Sequence, residues 1–465
     1  METPTASLVT DLQVKGERVI TIRPEKSTER HSLFLSNIDQ KLVGYVLKFV
    51  HFFSGNQEIA FDAIIYIHTE ALRRILVPYD FMCGRLTFNS KQRRFEIDCN
   101  AAGVPFAICS SELSLAELGD ISYPNPAFSQ LCFLPGSTNR NLEDEPLISF
   151  QVTRFTCGGF AVGTAENHSL MDGFALQEFA KNFTHLARMG DMAFQPVTDR
   201  TCLKARSPLH IKYSHQEYLN HSELDLHSSP FMQRNMDLWR SKVAFHNPSQ
   251  KHVFGLFLLS GKMLRLLKLK AKNEGVAGCT SFMAALAHLW RARTASLPNI
   301  KPGDISTVQF AVDIRSKMRP PLPREFAGNA TVTAYAKATA KELQEQPFSQ
   351  IVKKLEEGAD RMNDDYVRSR IDWLELHDGV ICLEKGFLVT SWSHMGFGDV
   401  EFGGGIKSVY SGPIVTGRVD VVIFMADPKD EDGIKIYIGL EPSHMAKFQL
   451  LIQNVDADAT IRSNL

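Results

Sequence analysis

The sequence lacks the marks of several large protein classes. Its eight cysteines are scattered along the chain without a CxxC pair, so the sequence indicates neither a disulfide framework nor a thiolate zinc site. No segment approaches the ~20 uninterrupted apolar residues of a membrane span. The N-terminal stretch also has no continuous apolar run of the kind found in signal peptides. These absences predict reduced thiols, no membrane span and a cytoplasmic location.

An excess of charge of either sign is also missing. The 51 basic and 52 acidic residues give a formal net charge of −1, so no global field attracts nucleic acid or an anionic membrane. The sequence contains no GxSxG elbow, no P-loop, no HExxH and no GxGxxG leading into a suitable helix. Because these motifs carry most nucleotide and zinc chemistry, we expect no bound metal and no permanently bound cofactor.

What is present is enough apolar sequence for a large core. The chain has 465 residues, of which 44% are hydrophobic and 22% charged, and this length corresponds to more than one domain. Leu147 to Phe155 and Phe160 to Ala165 read as a hairpin, and an amphipathic helix follows it. Strand and helix patterns recur in mixed order through both halves. The sequence therefore predicts a mixed α+β or layered α/β architecture with two domains.

Residues 191–250 lose this periodicity. They contain four histidines among Ser, Asn and Gln, and these histidines are not at ligand spacing on any one element. We expect a solvated surface crossover that joins the two halves. The histidines concerned are His210, His215, His221 and His227.

Reactive chemistry is concentrated between the hairpin and the helix. His168 stands at a strand end, Asp172 follows four residues later, and Gly173 comes directly after Asp172. A neutral imidazole is the side chain best matched to take a proton from a hydroxyl or amine at pH 7. Asp172 could orient that imidazole, or it could form a structural ion pair with a basic residue elsewhere. The pattern alone leaves both roles open, together with a histidine that merely caps a helix.

Several stretches in the same order resemble the plant BAHD acyl-CoA-dependent acyltransferases. Residues 168–173 resemble that family's HxxxDG signature, and residues 390–392 precede a segment that lies where the family carries DFGWG. The order of matches covers nearly the whole chain, which is far more specific than any single motif. The branch that it resembles is that of the hydroxycinnamoyltransferases. The further matching stretches are residues 35–39, 78–86, 312–316 (D-x-R), 320–323 (PPLP), 328–329 (GN) and 401–405.

The resemblance implies a two-domain fold like that of chloramphenicol acetyltransferase, in which each domain is a mixed sheet with helices. Residues 1–208 would form the N-terminal domain with HxxxD, 209–230 the crossover, and 231–465 the C-terminal domain. Acyl-CoA as co-substrate and a small-molecule acceptor would enter a channel between the domains from opposite faces. His168 would deprotonate the acceptor hydroxyl or amine, which attacks the thioester. Neither a metal nor a covalent acyl-enzyme is implied, and a monomer is expected.

The resemblance also assigns roles to other residues. Asp172 would point away from His168 and pair with Arg315, a structural role, and Gly173 would keep the channel clear. Thr390 or its neighbour would stabilise the oxyanion, and Trp392 would line the acceptor or acyl pocket.

One segment departs from the family pattern. DFGWG reads here as Glu401, Phe402, Gly403, Gly404 and Gly405, so that a glycine replaces a large indole. Two hypotheses follow. The first is an acyl-CoA-dependent O-acyltransferase that moves a hydroxycinnamoyl-type group to an alcohol or amine. The second is a non-catalytic BAHD-like accessory protein that acts through a partner in fatty-acyl elongation. The intact His168 and Asp172 favour the first hypothesis, and the altered segment favours the second.

Overall fold

A computed structural model of the chain describes residues 8–55, 59–135, 142–219, 252–377, 380–381, 383, 385–393, 395–396, 400–402, 406–414 and 418–455. The helices of these ranges are α1 (Asn37–Gln40), α2 (Phe61–Ile75), α3 (Gly173–Met189), α4 (Gly261–Asn273), α5 (Ser281–Ser296), α6 (Ala340–Glu345), α7 (Phe348–Asp360), α8 (Asp364–Leu376) and α9 (Pro442–Gln453). None of them is both long and apolar enough to cross a membrane.

The strands fall into two larger and two smaller sheets. They are β1 (Val14–Ile22), β2 (His31–Phe34), β3 (Val46–Phe53), β4 (Arg85–Asn89), β5 (Arg94–Cys99), β6 (Val104–Ser111), β7 (Ile148–Arg154), β8 (Phe160–Asn167), β9 (Tyr218–Leu219), β10 (Val253–Leu259), β11 (Ile305–Asp313), β12 (Thr331–Thr339), β13 (Val380–Ile381), β14 (Phe387–Ser391), β15 (Glu401–Phe402), β16 (Ile406–Pro413), β17 (Val421–Asp427) and β18 (Asp430–Leu440).

The first sheet has seven strands in the order β1-β6-β7-β8-β3-β16-β15. The predicted hairpin is its centre, and Gly158 takes a left-handed φ of 81° in the turn between β7 and β8. Helices α2 and α3 cover one face, where their apolar side chains join those of β3, β7 and β8 in one core. Because β16 pairs with β3, a segment from the C-terminal half completes this sheet.

The second sheet has six strands in the order β10-β18-β17-β14-β11-β12. Its inward side chains form a core with α4, α5, α7 and α9. Helix α5 is buried on nearly every side, including Trp290, as expected for a helix whose apolar residues are not confined to one stripe. The two sheets with their helices confirm the predicted mixed α/β class. The proposed boundaries at residues 208 and 231 stay a prediction.

The prediction of a solvated crossover is wrong at His215, which is buried. Its Nδ1–H donates to Glu217 Oε1 at 3.2 Å, and its Nε2 accepts from the Ser369 hydroxyl on α8 at 3.0 Å. Both ring nitrogens thus have partners, and the ring packs against Tyr366. These contacts fix the start of the crossover to the second half. His210 is exposed, while His221 and His227 lie outside the described residues.

Candidate active site

His168 lies at the end of β8, in the short turn before α3. Its backbone N–H donates to the Tyr45 carbonyl at 2.7 Å, which continues the strand pairing by one residue. Asn167 Oδ1 then accepts from the Ser169 N–H at 3.1 Å and from its hydroxyl at 2.8 Å. The chain therefore leaves the sheet in a turn that its own side chains hold, and this turn sets the position of the imidazole.

The imidazole of His168 has a defined tautomer. Nδ1 lies 3.1 Å from the Met171 carbonyl oxygen, and since a carbonyl can only accept, Nδ1 carries the proton. The lone pair is then on Nε2 at the opposite edge of the ring. Burial lowers the pKa of His168, and this effect is larger than the opposing effects of the nearby backbone carbonyl and of the Asp172 charge, which raise the pKa. His168 is therefore neutral at pH 7 and its Nε2 can accept a proton.

Asp172 is engaged by donors other than His168. Its Oδ1 caps α3 by accepting from the Ala175 N–H at 2.9 Å, and its Oδ2 accepts from the Ala330 N–H and the Thr331 hydroxyl at 2.8 Å each. Arg315 adds two parallel hydrogen bonds of 3.0 Å. Burial alone would raise the pKa of Asp172, but the charge and hydrogen bonds of Arg315 and the backbone donors lower it. The carboxylate of Asp172 is thus ionised, and its hydrogen bonds join the first turn of α3 to Arg315, Ala330 and Thr331.

Arg315 is the other half of this buried pair. It follows the end of β11 and also donates to Asp313 Oδ1 at 3.0 Å and to the carbonyls of Phe326 and Gly328 at 3.3 Å each. Burial would lower the pKa of Arg315, but the charge of Asp172 raises it above its ordinary value. The pair expected from the family resemblance is therefore present, and it ties the first turn of α3 to the end of a strand in the second sheet.

A second polar cluster, which the sequence reasoning did not assign to the site, lies under the His168 turn. Arg200 is fully buried and donates to the carbonyls of Ser169 at 2.8 Å and Leu170 at 2.6 Å. Asp39 pairs with Arg200 at 3.2 Å and accepts from Asn329 at 2.8 Å. Asn329 Nδ2 also donates to the His168 carbonyl at 2.9 Å.

Two of these three residues carried a signal in the sequence. Asp39 and Asn329 lie in stretches that match the family, at 35–39 and 328–329. Arg200 lies in a polar stretch without periodicity, and no motif marked it. The role of such a buried arginine can be recognised only once the structure of the turn that it supports is known.

The remaining predicted site residues are placed in different surroundings. A Cβ on Gly173 would lie 2.6 Å from Met395 Cε, so this glycine makes room for a methionine side chain. Thr390 is half-buried on β14, and the ring of Trp392 stacks on Phe49 of the first sheet at 5.4 Å. Glu401 and Phe402 form β15, while Gly403 and Gly405 lie outside the described residues. The oxyanion role of Thr390 and the substrate contact of Trp392 stay predictions.

A cavity lies between the first sheet and helices α2 and α3. The space outside protein atoms at this site is about 590 Å³, a figure that includes open solvent at the mouth, and aromatic and aliphatic side chains form most of the wall. The lining residues are Phe49, His51, His68, Leu72, Phe106, Phe150, Val162, Thr164, Leu176, Phe179, Ala180, Phe183 and Val400.

The two histidines of this cavity are uncharged at neutral pH. Burial lowers the pKa of His51 to about 3 and that of His68 to about 4. His51 Nδ1 lies 2.8 Å from the Ser411 hydroxyl, and His68 Nδ1–H donates to the Ile64 carbonyl at 2.7 Å. The cavity wall is therefore apolar and neutral, with hydrogen-bonding groups on imidazoles and a threonine hydroxyl.

These histidines should make the protein sensitive to acid. Their pKa values are lower in the folded protein than the ~6.5 of an unfolded chain, so the unfolded state binds more protons below that pH. We expect the free energy of unfolding to fall by up to about 1.4 kcal/mol per pH unit for each histidine, from pH ~6.5 downwards. Urea unfolding at pH 7.5, 6 and 5 measures this slope. The variant His51→Gln/His68→Gln lacks both imidazoles and should therefore show a shallower slope. Equal slopes in the variant and wild type would contradict the lowered pKa values of these two histidines.

One group of possible metal ligands occurs in the described ranges, away from the elements that carry His168. His31, Asp80 and Cys99 have ligand atoms within 4.8 Å of one another. Burial raises the pKa of the Cys99 thiol to about 12, and its Sγ–H donates to the Ile97 carbonyl. A protonated thiol is a poor ligand, and nothing in this trio connects it with the chemistry of His168.

Known proteins match this sequence over nearly its whole length. The Transferase family model matches residues 12–454. Acyltransferase GLAUCE of Arabidopsis thaliana is 36% identical over 453 residues, which cover 95% of this chain and 96% of that protein. Omega-hydroxypalmitate O-feruloyl transferase of Arabidopsis thaliana is 31% identical over 442 residues, which cover 94% of this chain and 92% of that protein.

The fold is also found among solved structures. The crystal structure of vinorine synthase matches with a TM-score of 0.70 and covers 94% of this chain and 96% of that chain. The sequence identity is 18%, so this likeness concerns the arrangement of helices and strands.

Proposed function

Since the chain belongs to the Transferase family of BAHD acyl-CoA-dependent acyltransferases, we propose that it moves a hydroxycinnamoyl-type group from coenzyme A to an alcohol. The acceptor is a small molecule that reacts through a hydroxyl group. The observation that carries this proposal is the neutral imidazole of His168, whose Nδ1–H is held by the Met171 carbonyl and whose Nε2 bears the lone pair. We further propose that the protein acts as a monomer in the cytoplasm.

The proposed reaction uses His168 first as a base and then as an acid. Nε2 takes the proton of the acceptor hydroxyl while the oxygen attacks the thioester carbonyl carbon. The tetrahedral intermediate collapses as its C–S bond breaks, and the coenzyme A thiolate takes the proton back from Nε2. The ester and the free thiol leave, and His168 is neutral again. Asp172 and Arg315 act by holding the turn and not by moving protons.

The cavity supports an apolar, uncharged substrate portion. Its aromatic walls offer contact area to a phenyl ring or an alkyl chain, and its histidines are neutral, so a carboxylate would gain no counter-charge from them. The relative Omega-hydroxypalmitate O-feruloyl transferase has a name that specifies a feruloyl group and a long-chain hydroxy acid. We therefore propose a feruloyl- or related hydroxycinnamoyl-CoA as donor and a fatty alcohol as acceptor.

A substrate panel tests this proposal. Purified protein is incubated with feruloyl-CoA, p-coumaroyl-CoA or acetyl-CoA and with 1-hexadecanol, 16-hydroxyhexadecanoate, shikimate or tyramine. Release of free thiol and the mass of the ester are followed. We expect the highest kcat/KM for a hydroxycinnamoyl-CoA with 1-hexadecanol. Preference for acetyl-CoA would contradict the proposed hydroxycinnamoyl-CoA donor, and preference for shikimate or tyramine would contradict the proposed fatty alcohol acceptor. No turnover with any pair would contradict both proposals.

A further inference from the structure

Glu166 is a buried carboxyl group that the reaction described above does not use. It lies on β8, two residues before His168, and 2% of its surface is exposed. Neither carboxyl oxygen has a hydrogen-bond partner among the described residues. Buried polar groups of folded proteins almost always have partners, so this carboxyl calls for an explanation.

The strand register places Glu166 between the cavity and His168. Side chains alternate along β8, so Glu166 projects from the same face as Val162 and Thr164, which line the cavity. Its neighbours across the strands are Leu47 and Ile148, one register step beyond the pairs that join Thr164 to Phe49 and Phe150 in the cavity wall.

Its distance from the reaction centre follows from the same geometry. Two residues of an extended strand separate the Cα atoms of Glu166 and His168 by roughly 7 Å. Neither residue lines the cavity itself, but Glu166 lies on β8 between Thr164 of the cavity wall and His168. A substrate that runs along this face of β8 from His168 to the cavity therefore passes Glu166.

The carboxyl group is suited to a hydrogen bond with a neutral ligand. Burial, and then the charge of Asp172, raise the pKa of Glu166 to about 8. Near neutral pH it is therefore mainly protonated and offers both an O–H donor and a carbonyl acceptor. A hydroxyl group complements both functions without bringing a charge into the apolar site. An ammonium group would require two charges to be desolvated together.

We propose that Glu166 determines acceptor specificity by hydrogen-bonding a second hydroxyl, a few bonds from the reacting one. The acceptor class is then an uncharged long-chain diol or a monoacylglycerol-like alcohol in preference to a simple fatty alcohol. This inference rests on the proposed acyl transfer to an alcohol and narrows its acceptor. It also explains why a carboxyl without a protein partner lies beside an apolar cavity wall, since the substrate supplies the partner.

The test compares two acceptors that differ in one hydroxyl. With feruloyl-CoA as donor, kcat/KM is measured for 1-hexadecanol and 1,2-hexadecanediol with wild type, Glu166→Gln and Glu166→Leu. We expect wild type to prefer the diol roughly tenfold or more, as for one hydrogen bond to a buried group. Glu166→Gln keeps a donor and an acceptor and should retain most of this preference. Glu166→Leu should lose it while still acylating 1-hexadecanol.

A binding measurement separates this inference from the proposed function. Without any donor, the diol should raise the thermal midpoint of wild type and leave that of Glu166→Leu unchanged. Glu166→Leu should itself melt at a higher temperature than wild type, because it removes an unpartnered buried carboxyl.

Several results would overturn the inference. An equal diol preference in wild type and Glu166→Leu, or equal thermal shifts, would exclude contact with the second hydroxyl. A stronger preference of wild type for 2-amino-1-hexadecanol would indicate a charge pair in place of the hydroxyl contact. If no alcohol is acylated but the diol shift depends on Glu166, the proposed reaction fails and the binding site remains.

Discussion

His168→Ala is expected to lower kcat/KM by about 10²–10⁴-fold, the usual contribution of a general base, while the fold is retained. The imidazole is half-buried at the end of β8, and its Nδ1–H makes one hydrogen bond to the Met171 carbonyl. Its removal therefore costs little stability compared with the loss of the proton acceptor. The measurement is thiol release from feruloyl-CoA under saturating alcohol, together with circular dichroism and the urea midpoint of the variant.

The pH profile gives an independent check of the same role. Because burial lowers the pKa of His168, the base form persists below the ordinary histidine range of ~6.5. The acid limb of kcat/KM should thus lie below pH ~6.5, with full activity at pH 7. An acid limb above that pH would contradict the assigned state of the imidazole.

A buried histidine on a helix that packs against the second sheet serves as the control. His288 on α5 is buried and donates from Nε2 to the Ile452 carbonyl at 2.9 Å. His288→Gln should cost stability but leave kcat/KM within a few-fold of wild type. If His168→Ala keeps more than a tenth of wild-type activity, or if His288→Gln loses as much as His168→Ala does, His168 is not the base.

Local sequence patterns predicted the surroundings of His168 well. Alternation in residues 147–165 and helical spacing after residue 173 depend on neighbours in sequence, and the structure contains β7, β8 and α3 there. The end of a strand is a position that such local patterns define. Local patterns therefore predicted the position of His168 at a strand end and the helix that follows it.

Contacts between distant residues were not predictable in the same way. The pairing of β16 with β3 joins residues more than 350 positions apart, and no local pattern encodes that register. The burial of His215 depends on Ser369 of α8, so a polar context suggested a solvated loop. The same holds for Arg200, whose partners are backbone carbonyls of another segment. For the Asp172–Arg315 pair, family resemblance supplied what residue spacing left open.

Breaking the Asp172–Arg315 pair is expected to give the largest loss of stability. Each side chain is less than a tenth exposed, and the two share parallel hydrogen bonds of 3.0 Å. Removal of one partner leaves the other charge buried, which typically costs about 3–5 kcal/mol. Asp172→Ala should lose the α3 cap in addition, whereas Asp172→Asn keeps a capping side chain. Urea unfolding of both variants and of Arg315→Ala measures these losses.

A double-mutant cycle distinguishes this pair from two independent residues. Asp172→Ala/Arg315→Ala removes both charges, so its loss of unfolding free energy should be smaller than the sum of the single losses. The pKa of Asp172 is lower when folded, so its contribution is present above pH ~3.9 and disappears as pH falls towards the folded pKa. Additive losses would mean that the pair is not coupled.

The kinetics of the same variants test what the pair does for the reaction. Asp172 supports the turn through its bonds to α3, Ala330 and Thr331. The imidazole of His168 is hydrogen-bonded to Met171 and not to Asp172. Loss of Asp172 is therefore expected to displace His168 without removing the base. Asp172→Asn should therefore lower kcat but leave the acid limb of the pH profile below ~6.5, where His168 still titrates. The limb should move to lower pH, because the charge of Asp172 raises the pKa of His168 and Asp172→Asn removes that charge. An upward shift with unchanged stability would contradict this account. A loss of kcat that follows the loss of stability across the variants would instead mark Asp172 and Arg315 as residues that position the base.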